Sequence, residues 1–447
     1  MNQSRQTFYH VTVLSNFARG FDKYARTYSK ARIPESTYPD RFFLLRRDEL
    51  GIGVQKAAQL LKKIGLAGNR LIVLETELDA ALLQTNTANG RGQFIHSNQI
   101  TLTRLYELDQ DDNVGIQLHP VAIEDAMAAS LRLLNRELLR FVNIRPRAIS
   151  FLPVALACQA KCPFCFSKAS VSSDQKAAKP DWEQVFAWLG RAQAHGAERA
   201  VITGGGEPTL LPAALLQQLV AACASRFDKV VLITNGHTLA TASEADQVIR
   251  LGTLYDAGLR VLAISRHHFD AGQNERLMHL HTPVEALIRT WRENHRRWPQ
   301  LRLRLISVLQ EGGVQNDSTL ESYVSWAAEQ GVEEICFKEL YVSTSAESVY
   351  HDRSVNDWSR HHQVPLSLIT RFAERQGFIV ESRLPWGAPV YRGKWLGKPL
   401  RVAAYTEPSL FWERTQGIAR SWNVMADGRC HVSLEDRASE IKLEEVA

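Results

Sequence analysis

Cysteine is scarce in this sequence, and no long apolar run begins it. Six cysteines in 447 residues are far too few for a disulfide-stabilised scaffold. The segment from Met1 to Thr7 is polar and leads into no hydrophobic stretch, which argues against a secretory signal or a transmembrane helix there. We therefore expect a cytoplasmic protein without a membrane partner.

A large excess of one charge is also missing. The chain has 53 basic and 48 acidic residues, a formal net charge of +5, which is too small over this length to indicate a nucleic-acid partner. With 45% hydrophobic and 23% charged residues, the composition is that of an ordinary globular protein. At this length two or three domains are expected.

What is present, from near Ala148 onward, is a regular alternation of short apolar runs and amphipathic segments. Strands are predicted at Ala148–Leu156, Arg199–Thr203, Lys229–Ile233, Arg260–Ile264, Leu301–Leu309 and Glu333–Lys338. Helices are predicted between them at Asp181–His195, Pro212–Ser225, Glu244–Ala257, Pro283–Arg297 and Ser318–Gln330. Such alternation is typical of parallel strands joined by right-handed helical crossovers. We therefore predict an α/β fold with a partial (β/α)6 barrel over residues 146–340.

Two further regions flank this predicted core. Residues 1–145 are predicted to be a separate α+β region, with a helix at Val54–Leu66, a strand at Arg70–Thr76 and an amphipathic segment at Val121–Val142. Residues 341–447 are predicted to be a small C-terminal extension. Within it we expect a loop at Tyr341–Val364, a helix at Pro365–Gln376, strands at Phe378–Ser382 and Ser421–Ala426, and a hairpin that turns at Asp427–Gly428 and ends at Ser433.

Three of the six cysteines lie within eight positions, in the segment Cys158-Gln159-Ala160-Lys161-Cys162-Pro163-Phe164-Cys165. Three soft thiolates from one loop favour an iron-sulfur cluster or zinc over harder ions. Three cysteines leave one iron of a cubane cluster free to bind a small molecule, whereas structural zinc needs a fourth ligand, for example His267. The spacing alone leaves both metals open, along with buried thiols that bind no metal.

Because this motif follows the first of six predicted strands, the chain resembles the radical S-adenosylmethionine (radical SAM) superfamily over roughly Ala148–Glu339. The resemblance implies that Cys158, Cys162 and Cys165 bind a [4Fe-4S] cluster whose open iron chelates S-adenosylmethionine. It implies that Phe164 packs near the adenine. In the family, an electron from the cluster cleaves the cosubstrate to methionine and a 5'-deoxyadenosyl radical, which removes a hydrogen atom from substrate. An electron donor such as flavodoxin or ferredoxin is the implied protein partner.

Further residues match positions that bind the cosubstrate in the family. Gly205, Gly206 and Glu207, within Gly204-Gly205-Gly206-Glu207-Pro208, match its Gly-Gly-Glu motif. Glycines allow a ligand to approach the backbone, and Glu207 would face the ammonium group, although an ordinary glycine turn is the alternative. Ser265 sits where relatives often bind the ribose, and Arg266 would meet the methionine carboxylate. A plain polar loop is the alternative for these two.

Other loop residues are more ambiguous. Asn235 either forms a turn or lines the cavity. The family's glycine-containing adenine motif has no clear counterpart in the segment from Ile306 to Gly313. His267, followed by His268, is a candidate for proton transfer or substrate binding, and a polar loop pair without chemistry is equally open.

The remaining cysteines are candidates for returning a hydrogen atom to a substrate radical. Strand alternation places Cys336 on the same side as Lys338, and Cys430 lies beside the predicted hairpin turn. A buried core thiol is the commoner fate for either. With only Cys336 and Cys430 after the core motifs, and Cys223 on a helix, a second cluster would lack its four thiolates. We therefore predict one cluster.

The resemblance does not name the substrate, because function belongs to the site and not to the fold. We favour modification of a ribosomally made peptide, with residues 1–145 as a leader-binding module. The alternative is a small metabolite such as a nucleoside, sugar or amino acid, with the N-terminal region as a lid or dimer element. A non-catalytic zinc module is a remote third possibility.

Overall fold

The computed structural model describes residues 5–22, 27–29, 41–64, 68–85, 93–96, 99–111, 115–134, 139–342, 348–408 and 410–446. The chain divides into two compact units, unit 1 from Met1 to Leu138 and unit 2 from Leu139 to Ala447. None of the described helices combines the length and the hydrophobicity needed to cross a membrane.

Unit 1 is built on an antiparallel sheet of strand order β1-β5-β9-β10. Its strands are β1 Arg5–Val13, β2 Phe21–Asp22, β3 Thr27–Ser29, β4 Arg41–Leu44, β5 Leu71–Asp79, β6 Gln84–Thr85, β7 Gln93–His96, β8 Gln99–Thr101, β9 Arg104–Asp111 and β10 Gly115–Pro120. Its helices are α1 Leu14–Gly20, α2 Leu50–Ile64 and α3 Ile123–Leu134.

Two hydrophobic clusters hold unit 1 together. One includes Phe8, Phe17 and Leu74, and the other includes Val11, Val54 and Val73. Neighbouring strand residues such as Val73 and Leu74 fall in different clusters because successive side chains of a strand point to opposite faces. Both faces of the sheet are therefore covered. The ends of two predicted segments, at 65–66 and 135–138, lie outside the described residues.

Unit 2 contains the remaining elements. Its strands are β11 Arg145–Pro146, β12 Ile149–Leu152, β13 Ala200–Ile202, β14 Val230–Thr234, β15 Leu259–Ser265, β16 Arg302–Leu309, β17 Glu334–Glu339, β18 Ile379–Arg383, β19 Pro389–Trp395, β20 Lys398–Tyr405, β21 Ile418–Ala419, β22 Trp422–Met425, β23 Cys430–His431 and β24 Glu440–Ile441. Its helices are α4 Trp182–Ala194, α5 Ala213–Ala224, α6 His237–Ala240, α7 Glu244–Asp256, α8 Ala271–Met278, α9 Val284–Asn294, α10 Asp317–Gln330, α11 Ser354–His362, α12 Ser367–Arg375 and α13 Leu410–Gln416.

Strands β12 to β17 pair in sequence order, each parallel to the next. Helices α4, α5, α7, α9 and α10 connect them, and the local sequence explains where these helices begin and end. Asp181 caps α4 by accepting a hydrogen bond from the Gln184 N–H (3.2 Å), and Gly331 ends α10 with φ of 84°. The alternation of strand and helix is thus an α/β core, as predicted.

The C-terminal segment does not form a separate extension. Among the described strands, the sheet has the order β18-β19-β20-β17-β16-β15-β14-β13-β12-β22-β23-β24. Strand β20 is parallel to β17 and β22 is parallel to β12. The parallel set is therefore wider than the predicted six strands, because each edge of that set gains a strand from the C-terminal segment.

Some C-terminal predictions were wrong and others were confirmed. Helix α11 occupies part of the predicted loop Tyr341–Val364, whose positions 343–347 lie outside the described residues. Strands β19 and β20 and helix α13 were not predicted. The hairpin was predicted correctly. Val424 pairs with Cys430 across the turn at Asp427–Gly428.

Side chains on alternate positions of the parallel strands face two environments. Val231, Val261 and Ala263 form one apolar cluster on the inner face, with Ile306 packed against it. Residues at intervening positions face the helices, as where Phe337 packs against Tyr323 of α10 with ring centroids 5.4 Å apart. The first group defines what we call the inner face of the sheet.

Candidate active site at the carboxyl ends of the strands

The three cysteines lie on one loop that follows β12. All three are free thiols of intermediate exposure. The Lys161 N–H donates to the carbonyl oxygen of Met278 (2.9 Å), at the end of α8, and the Cys162 thiol lies 3.8 Å from the same oxygen. The loop is thus attached to the segment that follows β15, several strands away from its own.

Asn235, after β14, contacts the cysteine loop at a second place. Its Nδ2 lies 3.6 Å from Cys158 Sγ and 3.2 Å from Gln159 Oε1. Its Oδ1 accepts the His237 N–H (2.9 Å), which is the turn-forming role. Asn235 therefore has the turn-forming role and in addition contacts the cysteine loop.

The glycine-rich loop after β13 packs directly under the cysteine loop. The Gly206 and Glu207 N–H groups donate to the carbonyl oxygens of Val154 and Ala157, both at 2.7 Å. A Cβ on Gly206 would lie 2.1 Å from the Ala157 oxygen, and a Cβ on Gly205 would lie 1.8 Å from Gln175 Nε2. At Gly206 only glycine permits this approach of two backbones, and at Gly205 a side chain would displace that of Gln175.

Glu207 is buried, with 3% exposure, and its carboxylate accepts hydrogen bonds from protein groups. Oε1 accepts hydrogen bonds from Thr209 N (3.0 Å), Thr209 Oγ1 (2.7 Å) and Thr234 Oγ1 (2.5 Å). Oε2 accepts the Asn235 N–H (2.8 Å). The carboxylate thus joins the loops after β13 and β14, a geometry that argues against the expected contact with an ammonium group.

Ser265 and Arg266 point to opposite sides of β15. Ser265 follows Val261 and Ala263 on the inner face by strand alternation. Arg266 is 1% exposed and donates to Glu285 Oε1 (2.7 Å) and to the Phe269 carbonyl oxygen (3.0 Å). Since its guanidinium also lies over the Trp326 ring of α10, the expected contact with a methionine carboxylate is not favoured.

His267 is buried and its ring is fixed. The Val308 N–H donates to His267 Nδ1 (3.0 Å), so the neutral ring carries its proton on Nε2. Burial, together with the Arg266 charge, lowers the pKa of His267 to about 3. It therefore acts as a hydrogen-bond donor near neutral pH, and it is unsuited to the proton transfer that the sequence left possible.

The two candidate thiols lie on different faces of the sheet. Cys336 alternates with Phe337, which faces the helices, so Cys336 shares the inner face with Lys338. Cys430 pairs with Val424, which is on the same face as Trp422, and Trp422 packs on Trp188 of α4. Cys430 therefore faces the helices, contrary to the expectation that it borders the site.

Two cavities adjoin the cysteine loop and the strand ends. The first, of about 370 Å³, is lined by Phe164, Val308, Lys338 and other residues. The second, of about 360 Å³, lies between the end of β20 and the start of β22. Phe166 and Tyr341 line both cavities, and their rings meet edge to face with centroids 5.1 Å apart.

Three thiolates on one short loop fit a cubane cluster. In the described part of the chain, no three cysteine, histidine or carboxylate side chains converge on one ion position. Each cysteine of a cubane binds a different iron, so such convergence is not required. Burial raises the pKa of Cys162 to about 12, and iron would displace that proton because it binds the thiolate.

The three-cysteine loop and the glycine-rich loop thus lie together after the first two strands of a parallel set. Residues 152–313 match the family model of the radical SAM superfamily. Residues 152–313 therefore carry a radical SAM domain, and the protein is an enzyme of the radical SAM type. Its cofactors are therefore a [4Fe-4S] cluster and S-adenosylmethionine.

The chain also resembles solved structures of other proteins, at low sequence identity. Streptococcus suis SuiB bound to S-adenosylmethionine is 16% identical, with 72% of this chain and 68% of that chain covered and a TM-score of 0.42. HemN, the coproporphyrinogen III oxidase of Escherichia coli, is 15% identical, with 56% of each chain covered and a TM-score of 0.33. Neither similarity supports a conclusion about the substrate. No curated protein matches the sequence.

Proposed function

We propose that the chain makes a 5'-deoxyadenosyl radical at a cluster held by Cys158, Cys162 and Cys165 and uses it to remove a hydrogen atom from a ribosomally made peptide. When bound, the cluster supplies the electron that cleaves S-adenosylmethionine. The observation that carries the proposal is the bracing of the cysteine loop by Asn235 and by the glycine-rich loop. Strands β12 to β17 would form the partial barrel around the radical, with flavodoxin or ferredoxin as reductant.

The chain's own residues would position the cosubstrate. The carbonyl oxygens of Gly205 and Gly206 are candidates to bind its amino group, because these residues have no side chain to block it. Ser265, on the inner face, is placed to bind the ribose, and Phe164 lines the cavity proposed for the adenine. His267 would donate a hydrogen bond through Nε2.

Cys336 remains the candidate donor for the substrate radical. Its thiol would pass a hydrogen atom to the substrate carbon, and the thiyl radical left behind would take one electron and one proton, the electron from the protein reductant. Burial raises the pKa of Cys336, which keeps the S–H intact near neutral pH. This step applies only if the substrate radical is returned to a closed-shell product by hydrogen transfer.

A peptide substrate is favoured by the organisation of unit 1. It has its own sheet and cores, and in the described residues β10 forms an open edge of that sheet. Extended peptides bind to such edges through main-chain hydrogen bonds. A small metabolite is the second candidate, favoured by the two neighbouring cavities that Phe166 and Tyr341 both line.

The experiment uses the full chain purified without oxygen. We expect visible absorption from an iron-sulfur cluster, and 5'-deoxyadenosine from S-adenosylmethionine and dithionite. A colourless protein without this product would overturn the proposal. To separate the substrates, peptides encoded by short reading frames beside the gene are added: a mass change in a peptide supports the first candidate, and a change only in a metabolite supports the second.

A further inference from the structure

Four basic side chains lie at the amino ends of the parallel strands, the ends opposite to the cysteine loop. Arg199 comes directly before β13, Lys229 comes directly before β14, and Arg302 and Arg304 lie at the start of β16. Each is two or four positions before a residue that belongs to the apolar cluster of the inner face or packs against it. Strand alternation therefore places all four on the inner face, and we call them the basic cluster.

One buried carboxylate, that of Glu334, is shared by three arginines. Its oxygens lie 2.9 Å from Arg302 Nη1, 2.7 Å from Arg304 Nη2 and 3.6 Å from Arg401 Nη1. Arg401 also pairs with Glu381 (2.5 Å). Two carboxylates thus face three guanidinium groups, and neither is left to neutralise a further cation.

Arg199 and Lys229 add two cations to this surplus. Both are half-buried, and within the described part of the chain neither has a side-chain hydrogen bond or an ion pair. The carboxylates next to them in the sequence, Glu198 and Asp228, are exposed, and Glu198 lies 3.6 Å from Arg147. Partly buried charges without a partner are costly, so an anion here would be stabilising.

The cations of the basic cluster also repel one another. Burial lowers the pKa of Arg199 to about 10, and Arg147 and Arg304 contribute in the same direction. Burial lowers the pKa of Lys229 to about 8, and Arg199 is the next contribution. Since β14 and β15 separate β13 from β16 in the sheet, the charges of Arg199 and Arg304 meet on the inner face. A bound anion would relieve this repulsion.

We propose that the basic cluster binds a small oxyanion of the phosphate type, either inorganic phosphate or the phosphate group of a metabolite. Guanidinium groups match phosphate oxygens with paired N–H donors, and an ammonium group adds a point charge. Arg199, Lys229 and Arg304 are half-buried on the inner face, which suits a small ion better than the broad surface of a protein partner. The inference is independent of the proposed function, because it uses no residue at the carboxyl ends of the strands.

The test is isothermal titration calorimetry on the cluster-loaded full chain at constant ionic strength. The probes are sodium phosphate and ribose 5-phosphate, with sodium acetate and ribose as controls. We expect saturable binding of the phosphate probes, weakened by added sodium chloride, and no binding of the controls. Equal affinity for both probes assigns the site to the phosphate group alone, and tighter binding of ribose 5-phosphate assigns it to a phosphorylated metabolite.

Arg199→Gln and Lys229→Gln connect the binding to the basic cluster. Each removes a cation without an ion-pair partner, so without phosphate each variant should melt at the same temperature as the parent or higher. Each should weaken phosphate binding by about tenfold or more, and phosphate should raise its melting temperature less than that of the parent. The matched control is Arg191→Gln, on an exposed side chain of α4, which should bind phosphate as the parent does.

No saturable binding of either phosphate probe, or equal binding by both variants and the control, would overturn this inference. Binding of flavodoxin that the two variants weaken, without binding of phosphate, would also overturn it and would assign the basic cluster to a protein interface. Formation of 5'-deoxyadenosine with dithionite is measured without added phosphate, so its failure would contradict the proposed function alone.

Discussion

The side-chain nitrogen of Asn235 lies 3.6 Å from the sulfur of Cys158. The same residue gives its backbone N–H to Glu207 (2.8 Å), whose carboxylate also binds Thr234. The loops after β12, β13 and β14 are thereby joined through one residue. Glu207, which the sequence predicted to bind a ligand, thus supports the position of Cys158 through Asn235.

Glu207→Gln tests whether this glutamate is structural. The amide NH₂ group of glutamine cannot accept the hydrogen bonds that one carboxylate oxygen of Glu207 accepts. We therefore expect the free energy of unfolding to fall by about 2–4 kcal/mol. Chemical denaturation measures this. The control is Glu198→Gln, whose side chain is 66% exposed. Unchanged stability with weaker S-adenosylmethionine binding would instead make Glu207 a ligand contact.

Arg266→Lys tests the second reassigned residue. Lysine cannot reproduce the planar contacts with Glu285, Phe269 and Trp326, so we expect a loss of about 1–3 kcal/mol in stability. The dissociation constant for S-adenosylmethionine, measured by calorimetry on cluster-loaded protein, should change less than about twofold. Arg250→Lys, on an exposed side chain, is the control. A tenfold weaker affinity in a fully stable variant would restore the carboxylate contact.

The number and position of clusters can be tested by iron analysis. We expect about four irons per chain, and severe loss of iron in Cys158→Ala, Cys162→Ala and Cys165→Ala. Cys430→Ala should keep its iron and its rate of 5'-deoxyadenosine formation, because its thiol faces the helices. About eight irons per chain would disprove the single cluster.

His431 gives a prediction about pH. It is 1% exposed and its ring nitrogens have no partner in the described residues, and burial and Arg429 lower its pKa to about 4, against the opposing charges of Asp427 and Asp174. Between pH 6.5 and 4 the unfolded chain binds a proton that the folded chain does not. The free energy of unfolding therefore falls with decreasing pH, by at most about 1.4 kcal/mol per unit from this group.

His431→Leu should lose this contribution and raise stability at pH 7 by about 1 kcal/mol. Denaturation of both proteins at pH 4.5, 5.5 and 7 measures the difference, with the exposed His361→Leu as control. If the two variants show the same pH dependence, His431 has the same pKa in the folded and unfolded chains, and the prediction is wrong.

Much of the core could be predicted because its signals are local. Apolar runs, caps such as Asp181 and stops such as Gly331 each depend on a few adjacent residues, and they locate β12 to β17 and their helices. The sequence around β19 and β20 shows no comparable alternation of strands and helices. The place of β20 beside β17 depends on residues more than sixty positions apart, as in the pairing of Cys336 with Ala403.

The sequence by itself determined the chemistry of the cysteine loop, because three thiolates at this spacing and the glycines of the next loop are fixed by residue type. Only the tertiary structure decided which neighbours use each polar group. Glu207 and Arg266 carry the charges expected of ligand contacts, yet burial obliges each to find partners inside the protein. The tertiary structure also brings Glu407, after β20, to Arg420, before β22, and no local pattern encodes that meeting.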